Sequence, residues 1–150
     1  MMMIGRLRRS DELNSTSEIE KKRILIVDDE SDITDYIEEI LRDKYDLLRA
    51  ENGIKALSIL KNEIIHLVLM DIAMPGDKLE RLSGLDALKA IRSNEDTAEI
   101  PVIMVTALSS REHKLAAKQA GANDYLEKPF KNDILLKKVS NLLDDPQSDS

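Results

Sequence analysis

The chain contains no cysteine. That removes disulfides, thiolate metal sites and cysteine nucleophiles together, and it fits a reducing cytoplasm. No apolar run approaches the length needed to cross a bilayer. The longest, such as Ile24 to Val27 and Leu67 to Met70, are only a few residues each. A secretory leader is not expected either. Met1 to Ile4 are apolar, but Arg6, Arg8 and Arg9 follow them, the reverse of the signal-peptide order. Positive charge is in deficit: 22 Lys and Arg stand against 29 Asp and Glu, for a formal net charge of -7. Such a surface repels phosphate backbones, so direct nucleic-acid binding is not expected. Nor is membrane association, and the expected location is the cytoplasm.

What is present suits one globular domain. The chain has 150 residues, 42% of them apolar, enough to bury a core but too few for two ordinary domains. Residues 1–21 mix Arg, Ser, Asp, Glu and Asn without apolar period and are expected to form a flexible arm. Residues 144–150, Asp-Asp-Pro-Gln-Ser-Asp-Ser, are expected to form a disordered acidic tail. The folded domain is therefore expected over residues 22–143.

Within it, strand and helix patterns alternate. Arg23 to Val27 is a run of β-formers, apolar almost throughout, as in a strand buried on both faces of a parallel sheet. Asp32 to Arg42 places Ile33, Ile37, Ile40 and Leu41 on one helical face. Tyr45 to Ala50 is a second strand, and Asn52 an N-cap for a helix carrying Ala56, Leu57 and Leu60. Leu67 to Met70 is the third strand, followed by a helix over Gly84 to Arg92. Pro101 to Val105 is the fourth strand, with proline at its tolerated first position. Ser110 to Ala120 is a helix closed by Gly121. Asp124 to Leu126 is a short fifth strand, and Asn132 is expected to cap a last helix ending near Leu143. Five βα units in series, joined by right-handed crossovers, give an α/β fold: a doubly wound, five-stranded parallel sheet.

Ligands of such sheets sit beyond the carboxyl ends of the strands. Asp28, Asp29 and Glu30 follow the first strand and Asp71 the third. Thr106 follows the fourth and Lys128 the fifth. Singly, each has a local explanation. Asp28 or Asp29 can cap a helix, Asp71 can cap a turn, and Lys128 can be a solvated surface residue. Jointly, Asp28, Asp29, Asp71, Thr106 and Lys128 bring three carboxylates, a hydroxyl and an ammonium to one rim. Clustered carboxylates repel and call for a cation. All-oxygen donors without His or Cys suit Mg²⁺. A carboxylate can attack phosphorus to give an aspartyl phosphate, and metal and ammonium can neutralise the transferred oxygens.

The residues carrying this pattern are Ile24-Leu-Ile-Val-Asp-Asp-Glu30, Leu67-Val-Leu-Met-Asp-Ile-Ala-Met-Pro75, Pro101-Val-Ile-Met-Val-Thr-Ala107 and Ala120-Gly-Ala-Asn-Asp-Tyr-Leu-Glu-Lys-Pro-Phe130. Together they resemble the receiver domain of two-component response regulators, over about Arg23 to Leu143. The resemblance implies a flavodoxin-like (βα)5 fold with strand order 2-1-3-4-5. It implies Asp71 as phosphoacceptor, with Asp29, Asp71 and the Ala73 backbone carbonyl as Mg²⁺ ligands and Asp28 acting through metal-bound water. Lys128 would pair with Asp71 and then with the phosphoryl group. Thr106 would swing to a phosphoryl oxygen, and Tyr125 would turn inward behind it. The Lys128-Pro129 bond is expected to be cis. The implied donor is a sensor histidine kinase or histidine phosphotransfer protein. The implied output is a protein contact on the face built from Ser110 to Ala120, Tyr125 and the last helix, to a target or a second copy. No enzyme activity is expected beyond self-phosphorylation and dephosphorylation.

One stretch departs from the family pattern. Gly76-Asp-Lys-Leu-Glu-Arg-Leu-Ser83 is about five residues longer than the usual loop, as an extended helix or a surface bulge. At two positions from which family members influence hydrolysis, this chain has Ala73 and Leu108. Neither can hydrogen-bond a water, so slow dephosphorylation is expected. Two alternatives remain at this level. An aspartyl phosphatase or phosphotransferase would want an acid where Ala73 stands. A pseudo-receiver would have lost an acid or the lysine.

Overall fold

The computed structural model describes residues 21–72 and 83–144. Five strands and five helices alternate: β1 (Arg23–Val27), α1 (Ser31–Leu41), β2 (Asp46–Ala50), α2 (Gly53–Asn62), β3 (Leu67–Met70), α3 (Gly84–Ser93), β4 (Val102–Thr106), α4 (Arg111–Ala120), β5 (Asp124–Glu127) and α5 (Asn132–Leu143). All four strand pairings are parallel, and the order across the sheet is β2-β1-β3-β4-β5. The doubly wound order expected from the sequence is the one observed.

The apolar strands divide their residues between two layers, because successive side chains point to opposite faces. Leu25, Val27, Val68, Met70, Val102 and Met104 pack with Ala56, Leu60, Leu88, Ile91 and Ala117 of α2, α3 and α4. Ile24, Ile26, Leu67, Leu69, Ile103 and Val105 pack with Ile37, Leu41, Leu135 and Val139 of α1 and α5. This two-sided burial explains why β1, β3 and β4 read as continuous apolar runs rather than alternating ones.

Helix ends follow their capping chemistry in three places. The side chains of Asn52, Ser83 and Ser110 accept from the third residue onward in α2, α3 and α4. Gly121 ends α4 at φ 109, the left-handed conformation that favours glycine. The expected Asn132 cap is a correction. Lys131 holds the N-cap position of α5 without a side-chain bond, and Asn132 is the first helical residue. Its amide oxygen instead accepts from the Tyr36 hydroxyl on α1. A tertiary donor on the neighbouring helix has taken the oxygen that local capping would have used.

The lower end of the domain is tied in part by Lys21 and Asp144, which the sequence reading left in the arm and tail. Lys21 and its neighbour Lys22 donate to the Arg42 and Leu143 carbonyls at 3.3 and 3.1 Å. Asp144 accepts from Ser140 (3.0 Å), Lys44 (3.3 Å) and Tyr45 (3.4 Å). Asp144 thus belongs to the packed end of α5. The rest of the expected arm and tail, residues 1–20 and 145–150, lies outside the described residues.

Burial first, and then the charge and bond of Asp144, push the Tyr45 phenol up to about 12. The unfolded phenol titrates near ~10. A raised folded value means that stability from Tyr45 is complete below about pH 10 and is lost as pH rises from there to about 12. Tyr45→Phe is therefore expected to lose less stability than the wild type across that alkaline window in denaturant titrations. Equal losses would overturn the assignment.

Candidate functional site at the strand carboxyl ends

The ladders set the rim. Val27 and Met70 are direct partners between β1 and β3, so the next residues, Asp28 and Asp71, stand side by side. The Asp71 N–H donates to the Val27 carbonyl at 3.0 Å and the Asp28 N–H to the Ala50 carbonyl at 3.0 Å. At the other flank, Thr106 pairs with Glu127 across β4 and β5, and the Lys128 N–H donates to the Thr106 carbonyl at 2.9 Å. Lys128 precedes a cis peptide bond to Pro129, as expected. Four chain segments far apart in sequence thus present side chains to one place.

The central contact is a shared ammonium. Lys128 Nζ donates to Asp28 Oδ2 at 2.8 Å and to Asp71 Oδ2 at 3.0 Å. Both carboxylates are buried, at 7% and 5% exposure. A third ion pair, to Glu30 Oε1 at 3.3 Å, involves a largely exposed carboxylate and adds little. The other Asp28 oxygen accepts from the Glu30 N–H at 2.9 Å. One Asp28 oxygen thus closes a local turn ahead of α1 and the other serves the rim, while α1 itself starts from Glu30 without a side-chain cap.

Electrostatics follow from this burial. Burial pushes the Asp28 carboxyl above its ordinary value, and the bonds from Lys128 and the Glu30 N–H offset that only in part. Desolvation works against the Lys128 ammonium too. Its bonds to Asp28 and Asp71 outweigh the loss and hold it above the ordinary lysine range.

Asp29 completes the cluster from the solvent side. Asp28, Asp29 and Asp71 each offer a carboxylate oxygen, and these lie within 4.8 Å of one another. Donors of this kind, all hard oxygens, fit Mg²⁺ better than a softer metal. Ala73, whose carbonyl was expected as a further ligand, lies outside the described residues.

The sequence pattern of the response regulator receiver domain matches residues 24–140. The chain is 37% identical over 124 residues to chemotaxis protein CheY-3 of Vibrio cholerae, covering 81% of this chain and 92% of that protein. It is similar in fold to the receiver domain of the sensor histidine kinase PA1611 of Pseudomonas aeruginosa, which has a magnesium ion coordinated in its active-site cleft. That likeness has a TM-score of 0.74 at 30% identity, over 83% of this chain and 99% of that one. A CheY-like receiver domain protein of Methanospirillum hungatei matches with a TM-score of 0.74 at 32% identity, over 87% and 99%. The chain belongs to the response regulator receiver domain family. It is thus a module of phosphorylation-dependent, two-component signalling, with the flavodoxin-like fold of that family.

In this receiver domain the two expected switch residues meet through a third. Thr106 is fully buried, and its hydroxyl accepts from the Leu108 N–H at 3.3 Å. The Tyr125 hydroxyl donates to the Leu108 carbonyl. Leu108 therefore joins Thr106 to Tyr125 through its own backbone. Its side chain packs at the edge of the core that also takes in part of Tyr125. Sequence reasoning took Leu108 only for its side chain, which cannot hydrogen-bond a water. Nothing in its side chain announces a role carried by its N–H and carbonyl.

The departing loop ends cleanly. Ser83 is extended, and its hydroxyl accepts from the Asp86 N–H at 3.2 Å. α3 begins at Gly84, so the additional residues do not lengthen the helix as far back as Ser83. Positions 73–82 lie outside the described residues.

Proposed function

We propose that the chain is a phosphorylation-operated switch. Asp71 accepts a phosphoryl group from a sensor histidine kinase or a histidine phosphotransfer protein, and the phosphorylated form signals through protein contacts. The observation that carries this reading is the Lys128 ammonium lying between two buried carboxylates, Asp28 and Asp71, with Asp29 beside them. A carboxylate oxygen of Asp71 attacks phosphorus, the donor's phosphorus–nitrogen bond breaks, and the imidazole leaves with the electron pair. Lys128 then turns from carboxylate to phosphoryl oxygen without leaving the site. Asp28, Asp29 and Asp71 are the side chains suited to hold Mg²⁺, as the PA1611 relative holds magnesium in its cleft. When bound, the metal supplies positive charge to the transferred oxygens. The chain acts on no separate substrate in this reading, so it is not an enzyme in the ordinary sense.

The output runs from Thr106 through Leu108 to Tyr125 and onto the face of α4, β5 and α5. The target, or a second copy of the chain, binds there. The proposed location is the cytoplasm. Among the described residues no helix is long and apolar enough to cross a membrane. The test is incubation with a small acyl phosphate and Mg²⁺. One added phosphoryl mass on the peptide containing Asp71 supports the proposal, and a different modified peptide sinks it.

Metal dependence gives a second expectation. Millimolar Mg²⁺ is expected to raise the melting temperature, because it relieves repulsion among the three aspartates and binds only the folded rim. Asp29→Ala weakens that Mg²⁺ effect and raises stability in its absence, since one repelling charge is gone. A melting temperature indifferent to Mg²⁺ would rule out the assembled metal site.

Lifetime gives a third. Replacing Leu108 with Gln keeps the backbone links to Thr106 and Tyr125 but adds a group able to orient water. A gain of even ~1.4 kcal/mol in water positioning changes decay of the phosphorylated form about tenfold. Loss of label from purified phosphoprotein measures it. Wild-type decay in Leu108→Gln would show that this position does not set the lifetime.

A further inference from the structure

We infer that Gly84 is a positioning residue for Asp71, an inference that rests on the proposed role of Asp71. Gly84 opens α3, and its N–H donates to the Ile72 carbonyl at 3.2 Å. A Cβ on Gly84 would lie 1.9 Å from the Asp71 carbonyl oxygen, 2.7 Å from the Asp71 carbonyl carbon and 2.8 Å from Ile72 Cα. All three are backbone atoms, so no side-chain rotation relieves the contact. The glycine is present for space and not for conformation. Gly84 is helical and an alanine would suit it, whereas Gly121 has φ 109.

Neither neighbour is free to yield. α3 is anchored by Ala87, Leu88 and Ile91, all fully buried, and its first turn is capped by Ser83. On the other side, the Asp71 N–H is bonded to the Val27 carbonyl and its carboxylate to Lys128. Asp71 is thus held between β1 and the start of α3. Its carboxylate must fall within reach of Asp28, Asp29 and Lys128 at once. A displacement of its backbone by even part of an ångström breaks that convergence.

Two glycine variants separate positioning from stability. Gly84→Ala and Gly121→Ala are both expected to lower the melting temperature, the second because of its φ and because its Cβ would meet Arg92 at 2.9 Å. Only Gly84→Ala is expected to weaken binding of Mg²⁺ alone, by about tenfold in calorimetric titration, and to slow phosphoryl uptake at saturating Mg²⁺ by a similar factor. Gly121→Ala leaves both at the wild-type value. If Gly84→Ala binds Mg²⁺ as the wild type does, or loses it only as Gly121→Ala does, the glycine serves packing alone and the inference fails. If Gly84→Ala does not fold, Ser83→Ala decides. It loosens the same turn without adding an atom and is expected to weaken Mg²⁺ binding about twofold, and an unchanged affinity overturns the inference. A wild-type chain that binds Mg²⁺ but takes no phosphoryl group would instead sink the proposed function and leave the Mg²⁺ comparison standing.

Discussion

Asp71→Asn is expected to take up no phosphoryl group from a small acyl phosphate and Mg²⁺ under conditions that modify the wild type. The substitution is close to isosteric, so the effect is chemical. The amide oxygen is a poor nucleophile and cannot form the acyl phosphate. The fold survives, because Asn retains an oxygen to accept from Lys128 at the 3.0 Å position. Mg²⁺ affinity falls as well, since one of three clustered carboxylates has become neutral. In the wild type the label is expected to be stable in acid and labile in base, as acyl phosphates are. Undiminished labelling of Asp71→Asn would move the acceptor elsewhere and undo the reading of the rim.

Lys128→Ala is expected to have the largest effect on metal-free stability. Its ammonium is shared by Asp28 and Asp71, and all three side chains are nearly inaccessible to water. Removing one partner of a buried pair typically costs about 3–5 kcal/mol, because the remaining charge stays desolvated. Mg²⁺ is expected to restore much of the loss, and to bind the variant more tightly, since a competing positive charge is gone. Phosphoryl uptake is nonetheless slower, by about 10²-fold, because the transferred oxygens lose their fixed cation. The pH dependence has a definite sign. A lysine raised above its ordinary value contributes stability that is complete below about pH 10.4 and is lost only as pH rises beyond it. The deficit of Lys128→Ala should therefore be full at neutral pH and close only in strong alkali. Equal melting temperatures for the two proteins without metal would show that the shared ammonium does not hold the rim together.

Much of this was legible in the chain because the signals are local. Ile37 and Leu41 reach the core because helical period puts them on one face. Asp28, Asp71, Thr106 and Lys128 were identified because each stands at the carboxyl end of a short strand, and a parallel sheet gathers strand ends at one rim. Caps at Asn52 and Gly121 also follow from nearest-neighbour chemistry. Asn132 did not, because the group that claims its oxygen is Tyr36, 96 residues away. Arg92 gave no sequence signal either. It donates to the carbonyls of Ala98, Ile100 and Gly121 at 3.1, 2.6 and 3.0 Å and to the Asn123 side-chain oxygen at 2.8 Å, neutral acceptors that charge pairing would not have named.

By itself the sequence determined the element types and the residues at the rim, because periodicity and strand-end position are properties of short stretches, while the strand order was implied by the resemblance to receiver domains. Only the tertiary structure decided how those residues are connected. Lys128 reaches Asp28 as well as Asp71, Leu108 links Thr106 to Tyr125 through backbone groups, and Gly84 lies against the Asp71 backbone. Such contacts depend on ladder register and helix packing to within part of an ångström. No local pattern specifies that, because the partners lie 57 and 100 residues from Lys128 along the chain and meet only when the core has closed.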